Sequence, residues 1–157
     1  MAEFLATRTG VPSYLGELAR LEWLMSDAFD APDAEAMTLD DLRTIAPEHW
    51  PHLRFRPIPA LTLMQADWPV HELWSAGVAA TTRPMPTWIR IWRDREYQVC
   101  HASIGDREAE ALKRMIAGEP FAAICGAYGD LPEDVAAQES TVTLLSWLEC
   151  GLIAGAQ

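Results

Sequence analysis

From Thr87 onward the hydrophobic period switches once, from strand to helix, and that switch restricts the fold more than any other feature of the chain. TWIRIWR and YQVCHAS supply Trp88, Ile89, Ile91, Trp92, Tyr97 and Val99, the aromatic and β-branched residues that suit a pleated surface. A tight turn at about Asp94 to Glu96 joins them, which predicts a hairpin. Three helical patterns punctuated by glycine follow. Ser103-Ile-Gly-Asp106 reads as a cap for the first, which carries Ala109, Leu112 and Ile116 and stops at Gly118. The second, Pro120 to Cys125, ends in the region of Gly126 and Gly129. The third starts near Pro132 and is predicted to keep Val135, Val142, Leu145, Leu148 and Leu152 on one face. Hairpin and then three helices is the order of a winged-helix unit.

Upstream, apolar residues Leu15, Leu18, Leu21, Leu24 or Met25, and Ala28 recur every three or four positions. They predict a helix from Pro12 or Ser13 to about Phe29, with Tyr14, Trp23 and Phe29 widening its buried stripe. Thr38-Leu-Asp-Asp41 resembles a capping box for a short helix holding Leu39, Leu42 and Ile45, and Pro47 ends it. Alternation around Leu53 and Phe55, then Leu61 and Leu63, predicts short strands that Pro57 and Pro59 confine to edges or bulges. A short helix with Val70, Leu73 and Trp74 is expected to end at Gly77, and GVAATTRPMP reads as a linker or exposed loop. The expected class is α+β: N-terminal helices plus a C-terminal winged-helix-like unit, a β-hairpin or small antiparallel sheet followed by three helices. At 157 residues and 50% hydrophobic, the chain supports one good core or two small modules. The division drawn is residues 1–80 and 81–157, with one compact unit as the alternative.

Charge decides against several functions. The formal net charge is -11, and Lys113 is the one lysine. Phosphate neutralisation by Lys and Arg dominates nucleic-acid affinity, so nucleic acid is a disfavoured partner, and anionic membrane surfaces are disfavoured for the same reason. A recognition helix puts its N-terminal end into the major groove; here that end carries Asp130, Glu133, Asp134 and Glu139. Those acids complement the helix dipole instead. A DNA contact through the hairpin would have to use Arg83, Arg90, Arg93 and Arg95. No apolar run reaches the roughly 20 residues of a membrane span, and MAEFLATRTG lacks the basic and apolar regions of a signal peptide. Cytoplasmic localisation is the expectation, and Cys100, Cys125 and Cys150, an odd set with no C-x-x-C pair, read as buried thiols in a reducing compartment.

No catalytic constellation emerges. His49-x-x-His52 lacks the helical spacing and the completing Cys or carboxylate of a metal site, so no metal residue is assigned. Cys100 and His101 are strand neighbours and should point to opposite faces. The phosphate-loop pattern is absent, and Glu17, Glu22 and Asp27 read as solvated helix positions.

The segments YLGELARLEWLMSDAFDAPDA, EHWPHLRFRPIPALTLMQADWPVHELW, WIRIWR and LLSWLECGLIAG together resemble the C-terminal portion of the HvfC/BufC family, from about Phe4 onward. The most specific pieces are Ala19-Arg20-Leu21-Glu22-Trp23 with Ala28-Phe29, and the Trp-Pro-Val run ending in Trp74. Members of that family are described as DNA-binding, and many are partners of multinuclear iron-dependent oxidases that modify ribosomally made precursor peptides; the methanobactin partner protein is a relative. The resemblance implies a peptide-recognition element on the winged-helix plan, with no cofactor in this chain and the iron in the partner enzyme. Longer members carry an N-terminal helical module that this chain would begin after, as a short member or a trimmed one.

On that reading the chain is a non-catalytic partner that binds a precursor peptide and presents it to the oxidase. The rivals are a winged-helix transcription regulator and a small enzyme. An extended peptide could add to the hairpin edge at Tyr97, Val99 and His101, with Thr141, Leu145 and Leu148 of the last helix as the opposite wall. Core packing is the stronger reading for Leu145 and Leu148. Trp50, Trp68 and Trp74, with Arg90, Arg93 and Arg95, are the candidates for the partner interface. Core packing and solvated strand charge are their alternatives.

Overall fold

The strand TWIRIWR, β3 (Thr87–Arg93), has neighbours on both edges and layers on both faces. It pairs antiparallel with β2 (Thr62–Ala66) on one side and β4 (Val99–Ile104) on the other. A strand covered on both faces reads as a near-continuous apolar run, which is why its alternation is weak. Ile89 and Ile91 face α1 (Tyr14–Asp30) and α3 (Val70–Ala76), in a layer with Leu21, Ala28, Met64, Val70 and Leu73. Trp92 faces the other way, into a layer with Leu112 and Met115 of α4 (Asp106–Ile116) and Leu144, Trp147 and Leu148 of α6 (Glu133–Glu149). This computed structural model describes residues 12–76 and 83–157. The predicted stop at Gly77 and most of the predicted linker lie outside the described residues.

The remaining elements close the second layer. The capped α2 (Leu39–Arg43) is followed by a 3-10 turn, Pro47–His52, and β1 (Phe55–Pro57). After α4 come α5 (Phe121–Cys125) and a 3-10 turn, Gly126–Tyr128. The chain ends in β5 (Ile153–Ala156), which pairs antiparallel with β1. The fold is thus α+β, with a hairpin followed by three helices. Strands from before residue 80, β1 and β2, pair with β5 and β3 from after it.

Local sequence accounts for most boundaries. Thr38 Oγ1 accepts from Asp41 N at 3.2 Å while Asp41 Oδ2 accepts from Thr38 N at 2.8 Å, the reciprocal capping box. Gly118 and Gly151 both have positive φ, at 71° and 70°, and each closes a helix with the paired bonds of a Schellman motif. At Gly151 these are Gly151 N to Leu148 O (3.1 Å) and Leu152 N to Trp147 O (2.8 Å). The register shift between Arg56 and Pro57 is the bulge that proline predicts.

Four readings need correction. Ser103 caps nothing: it stays in β4, and α4 starts at Asp106 behind Gly105 with no side-chain cap. Trp23 and Phe29 are exposed, because a buried stripe already filled by Leu21 and Ala28 leaves no second layer for them. The buried face of α6 is Leu144, Trp147 and Leu148, while Val135, Val142 and Leu145 face outward. Leu152 is not helical; Gly151 turns the chain so that Leu152 is buried ahead of β5, a strand not anticipated.

One polar knot ties the sheet to the second layer. Arg90, buried on β3, donates through Nη1 to Glu108 Oε1 at 2.8 Å and through Nη2 to Cys150 Sγ at 3.4 Å. Trp147 Nε1 donates to the same Glu108 oxygen at 3.1 Å, and the guanidinium lies 4.8 Å from the centre of the Trp92 ring. Two donors share one carboxylate oxygen, so removing the carboxylate orphans both. Glu108→Ala is expected to cost about 3 kcal/mol by urea unfolding, whereas the apolar pair Arg90→Met/Glu108→Leu should recover most of it.

Candidate functional site

The sheet order β2-β3-β4 leaves β4 with one neighbour. Its ladder parity is set at the turn, where Asp94 N donates to Gln98 O at 2.9 Å and Tyr97 N to Asp94 O at 3.1 Å. Counting by twos from Gln98, residues 100, 102 and 104 bond inward to β3, and Val99, His101 and Ser103 direct their N–H and C=O groups outward. Among the described residues no backbone group pairs with those three. The edge therefore offers three residues of unsatisfied ladder, enough to register an added strand.

The side chains of the same residues turn toward α1 and α3. Val99 packs on the first apolar layer. His101 meets the ring of Trp74 edge-on, with centroids 5.2 Å apart at 88°, and Trp74 is half exposed beside the edge. Nδ1 of His101 and of His71 are both buried, and neither has a partner among the described residues. Burial holds both imidazoles below their ordinary range, the neighbouring His71 adding to the effect at His101 and Glu72 opposing it at His71.

Where β4 ends, a cleft of about 540 Å³ opens between the start of α4 and the face of α6 that carries Glu139 and Thr143. Tyr128 Oη and Thr143 Oγ1 are hydrogen-bonded at 2.7 Å. Arg107 grips Asp130 with two bonds, Nε to Oδ1 at 3.0 Å and Nη2 to Oδ2 at 2.6 Å. That contact holds the Asp130 carboxyl below its ordinary range and raises the guanidinium. Asp106, Glu108 and Glu139 also line the cleft, so carboxylates outnumber its one arginine. The field there favours polar or cationic groups and opposes phosphate.

The residues singled out from sequence divide in three. Val99 and His101 stand on the free edge; Tyr97 does not belong to the strand but occupies the turn at φ 62°, with its ring 63% exposed over Arg93. A bulky side chain in the left-handed region, where glycine is the usual occupant of this hairpin turn, costs roughly 1 kcal/mol. On α6, Thr141 and Leu145 lie on the far face from the cleft, in a separate apolar groove with Trp50, and Leu148 is buried in the core. The helix was the right one and the face was wrong. Glu139 and Thr143, two positions off and four apart from each other, supply the wall instead.

The three arginines assigned to a partner interface are internal staples. Arg90 is buried in its knot. Arg93 donates to the Phe29 and Ala31 carbonyls and pairs with Asp33 at 2.6 Å. Arg95 donates to Met37 O and Leu148 O at 3.0 and 3.1 Å. A hairpin packed against irregular backbone needs donors for carbonyls that no ladder satisfies, and a guanidinium reaches two at once. Trp50 donates to Ile45 O at 3.1 Å and Trp68 stacks on Tyr14, so each is partly engaged. Glu17 is likewise no solvated acid: its two oxygens accept from Asp67 N and Trp68 N, each at 3.0 Å, fixing the turn before α3 to α1.

Cys100 and His101 do point to opposite faces, with Cys100 Sγ 3.5 Å from Asp94 Oδ2. Burial first, and then Asp94, push the Cys100 thiol up to about 11, which removes it as a nucleophile at neutral pH. All three thiols are unpaired and half-buried. His49 and His52 are exposed in their 3-10 turn, and among the described residues no three His, Cys, Asp or Glu side chains converge. No helix there is long and apolar enough to cross a membrane. Comparison with protein-family models and with curated proteins finds no match.

Two outcomes follow for stability. Tyr97→Gly should leave the thermal midpoint unchanged or raised, since relief of the left-handed backbone offsets the freedom glycine adds to the unfolded chain. The unfolded chain protonates its histidines before the buried pair can, so the contribution of His71 and His101 is present at neutral pH. It is lost as pH falls through the ordinary imidazole value toward their lower folded values. The urea midpoint should drop between about pH 7 and about pH 5.5, and His71→Leu/His101→Leu should flatten that slope.

Proposed function

We propose that this chain is a non-catalytic, cytoplasmic partner protein that binds a ribosomally made precursor peptide and presents it to a multinuclear iron-dependent oxidase. The observation that carries the proposal is the unpaired β4 edge opening onto the α6 cleft. An extended segment added along Val99, His101 and Ser103 would gain backbone hydrogen bonds there. Its side chains would alternate between the Trp74–His101 side and the second-layer side, leading toward the acidic cleft. The resemblance of the segments around Ala19–Trp23 and Trp68–Trp74 to the HvfC/BufC family supports the same reading. Under it the iron belongs to the oxidase, and this chain contributes binding and orientation.

The acidic cleft gives the peptide a preferred chemistry. A lysine or arginine a few residues beyond the paired strand would meet Asp106 and Glu139, since Glu108 is already held by Arg90 and Asp130 by Arg107. The regulator reading has less support, because Arg90, Arg93 and Arg95 are consumed inside the molecule and α6 begins with Glu133 and Asp134.

Ser103→Pro tests the edge. Ser103 is exposed and its N–H faces outward, so proline removes one free donor and leaves the β3 ladder intact. Anisotropy with a fluorescently labelled extended peptide carrying a lysine or arginine a few residues beyond its strand-forming segment should show binding by the natural chain and at least about a tenfold loss of affinity in the variant, with the thermal midpoint near that of the natural chain. Equal binding by Ser103→Pro, or tight salt-sensitive binding of labelled duplex DNA by the natural chain, would sink the proposal.

A further inference from the structure

Helix α6 is apolar on two opposite sides, and the core uses one of them. Leu144, Trp147 and Leu148 are buried, whereas Val135, Val142 and Leu145 stand 37%, 57% and 37% exposed on the outer side. A helix apolar all round is one that expects cover on both sides. Of the three outer residues only Leu145 lines a groove of about 390 Å³, floored by Ala136, Ala137 and Ser140 and walled by Leu39, Trp50 and Phe121. Small residues in the floor let another backbone approach closely. The lining spans Ala136 to Leu145 on α6, roughly 14 Å at a helical rise, which matches two to three turns of an occupant helix.

The charge around the groove selects among occupants. Asp40 and Asp41 begin α2 on one side, and Glu133 and Asp134, both exposed, begin α6 just ahead of Ala136 and Ala137. Arg43, the cation closest in sequence to Leu42, is already paired with Asp40 at 2.8 Å. A second copy of this chain, packed face to face, would set these acids against themselves. An anionic lipid surface or a nucleic acid meets the same repulsion. A helix with leucines along one side and lysines or arginines along its margins satisfies both the apolar floor and the acidic rim.

We infer that the groove beside Leu145 forms a second docking surface, one that takes a basic amphipathic helix of a partner protein. It is separate from the β4 edge and does not rest on the precursor-peptide reading. The probe is a synthetic amphipathic peptide with leucine at i, i+3, i+4 and i+7 and lysine elsewhere, compared with the same peptide carrying glutamate for lysine. Titrated by anisotropy into the full chain, the lysine peptide should bind at least about tenfold tighter than the glutamate peptide. Ala137→Trp, which fills the groove from an exposed position, should abolish the difference. Leu145→Lys, at the partly exposed leucine that lines the groove, should weaken the lysine peptide by about tenfold with the thermal midpoint near that of the natural chain. Ser103→Pro should bind it like the natural chain. The inference is overturned if neither peptide binds, if both bind equally, if Ala137→Trp and Leu145→Lys bind like the natural chain, or if the natural chain dimerises through this groove and Ala137→Trp makes it monomeric.

Discussion

Everything in this fold depends on β3 being covered on both faces. Ile89 and Ile91 hold α1 and α3 on one side, while Arg90 and Trp92 hold α4 and α6 on the other. The first layer is oil against oil. The second is fastened by a buried charge whose carboxylate partner also serves the Trp147 indole. Once β2 takes one edge of β3 and β4 the other, the outer side of β4 is left as backbone that can accept a further strand. The site is a consequence of which strand sits in the middle.

Charge is distributed unevenly between internal contacts and the surface. Arginine side chains that a hairpin could have offered to phosphate instead satisfy carbonyls in the irregular segment after α1 and at the end of α6. The acids remain outside, on α2, at the α6 cleft and along the outer face of α6. With hairpin arginines engaged in internal contacts and anions left at the surface, the outward field of these faces is negative.

Where the signal was local, the sequence was legible. The capping box at Thr38, the proline bulge in β1, the glycine stop at Gly118 and the hairpin itself depend on neighbours within a few residues. The errors share a different cause. Trp23, Phe29, Val135 and Val142 are apolar at helical spacing, and spacing alone does not tell a covered stripe from an uncovered one. The right helix was chosen for the cleft, but which of its faces lines it follows from which face the core takes: Leu144, Trp147 and Leu148 are buried, and Glu139 and Thr143 face the cleft. Strand parity gave Val99 and His101 their outward backbone, and parity needs the Asp94–Gln98 bond as its origin.

From its sequence alone this chain is an α+β protein with a hairpin before three helices, an acidic surface and reduced thiols, because composition, period and turn chemistry are properties of short stretches. Only the tertiary structure decided that β1 would close with β5, that three arginines would be spent on contacts within the molecule, and that the outer edge of β4 would be left free among the described residues. Those outcomes join residues tens of positions apart. No local propensity encodes such pairings, since each is chosen by which arrangement buries both faces of β3 at once.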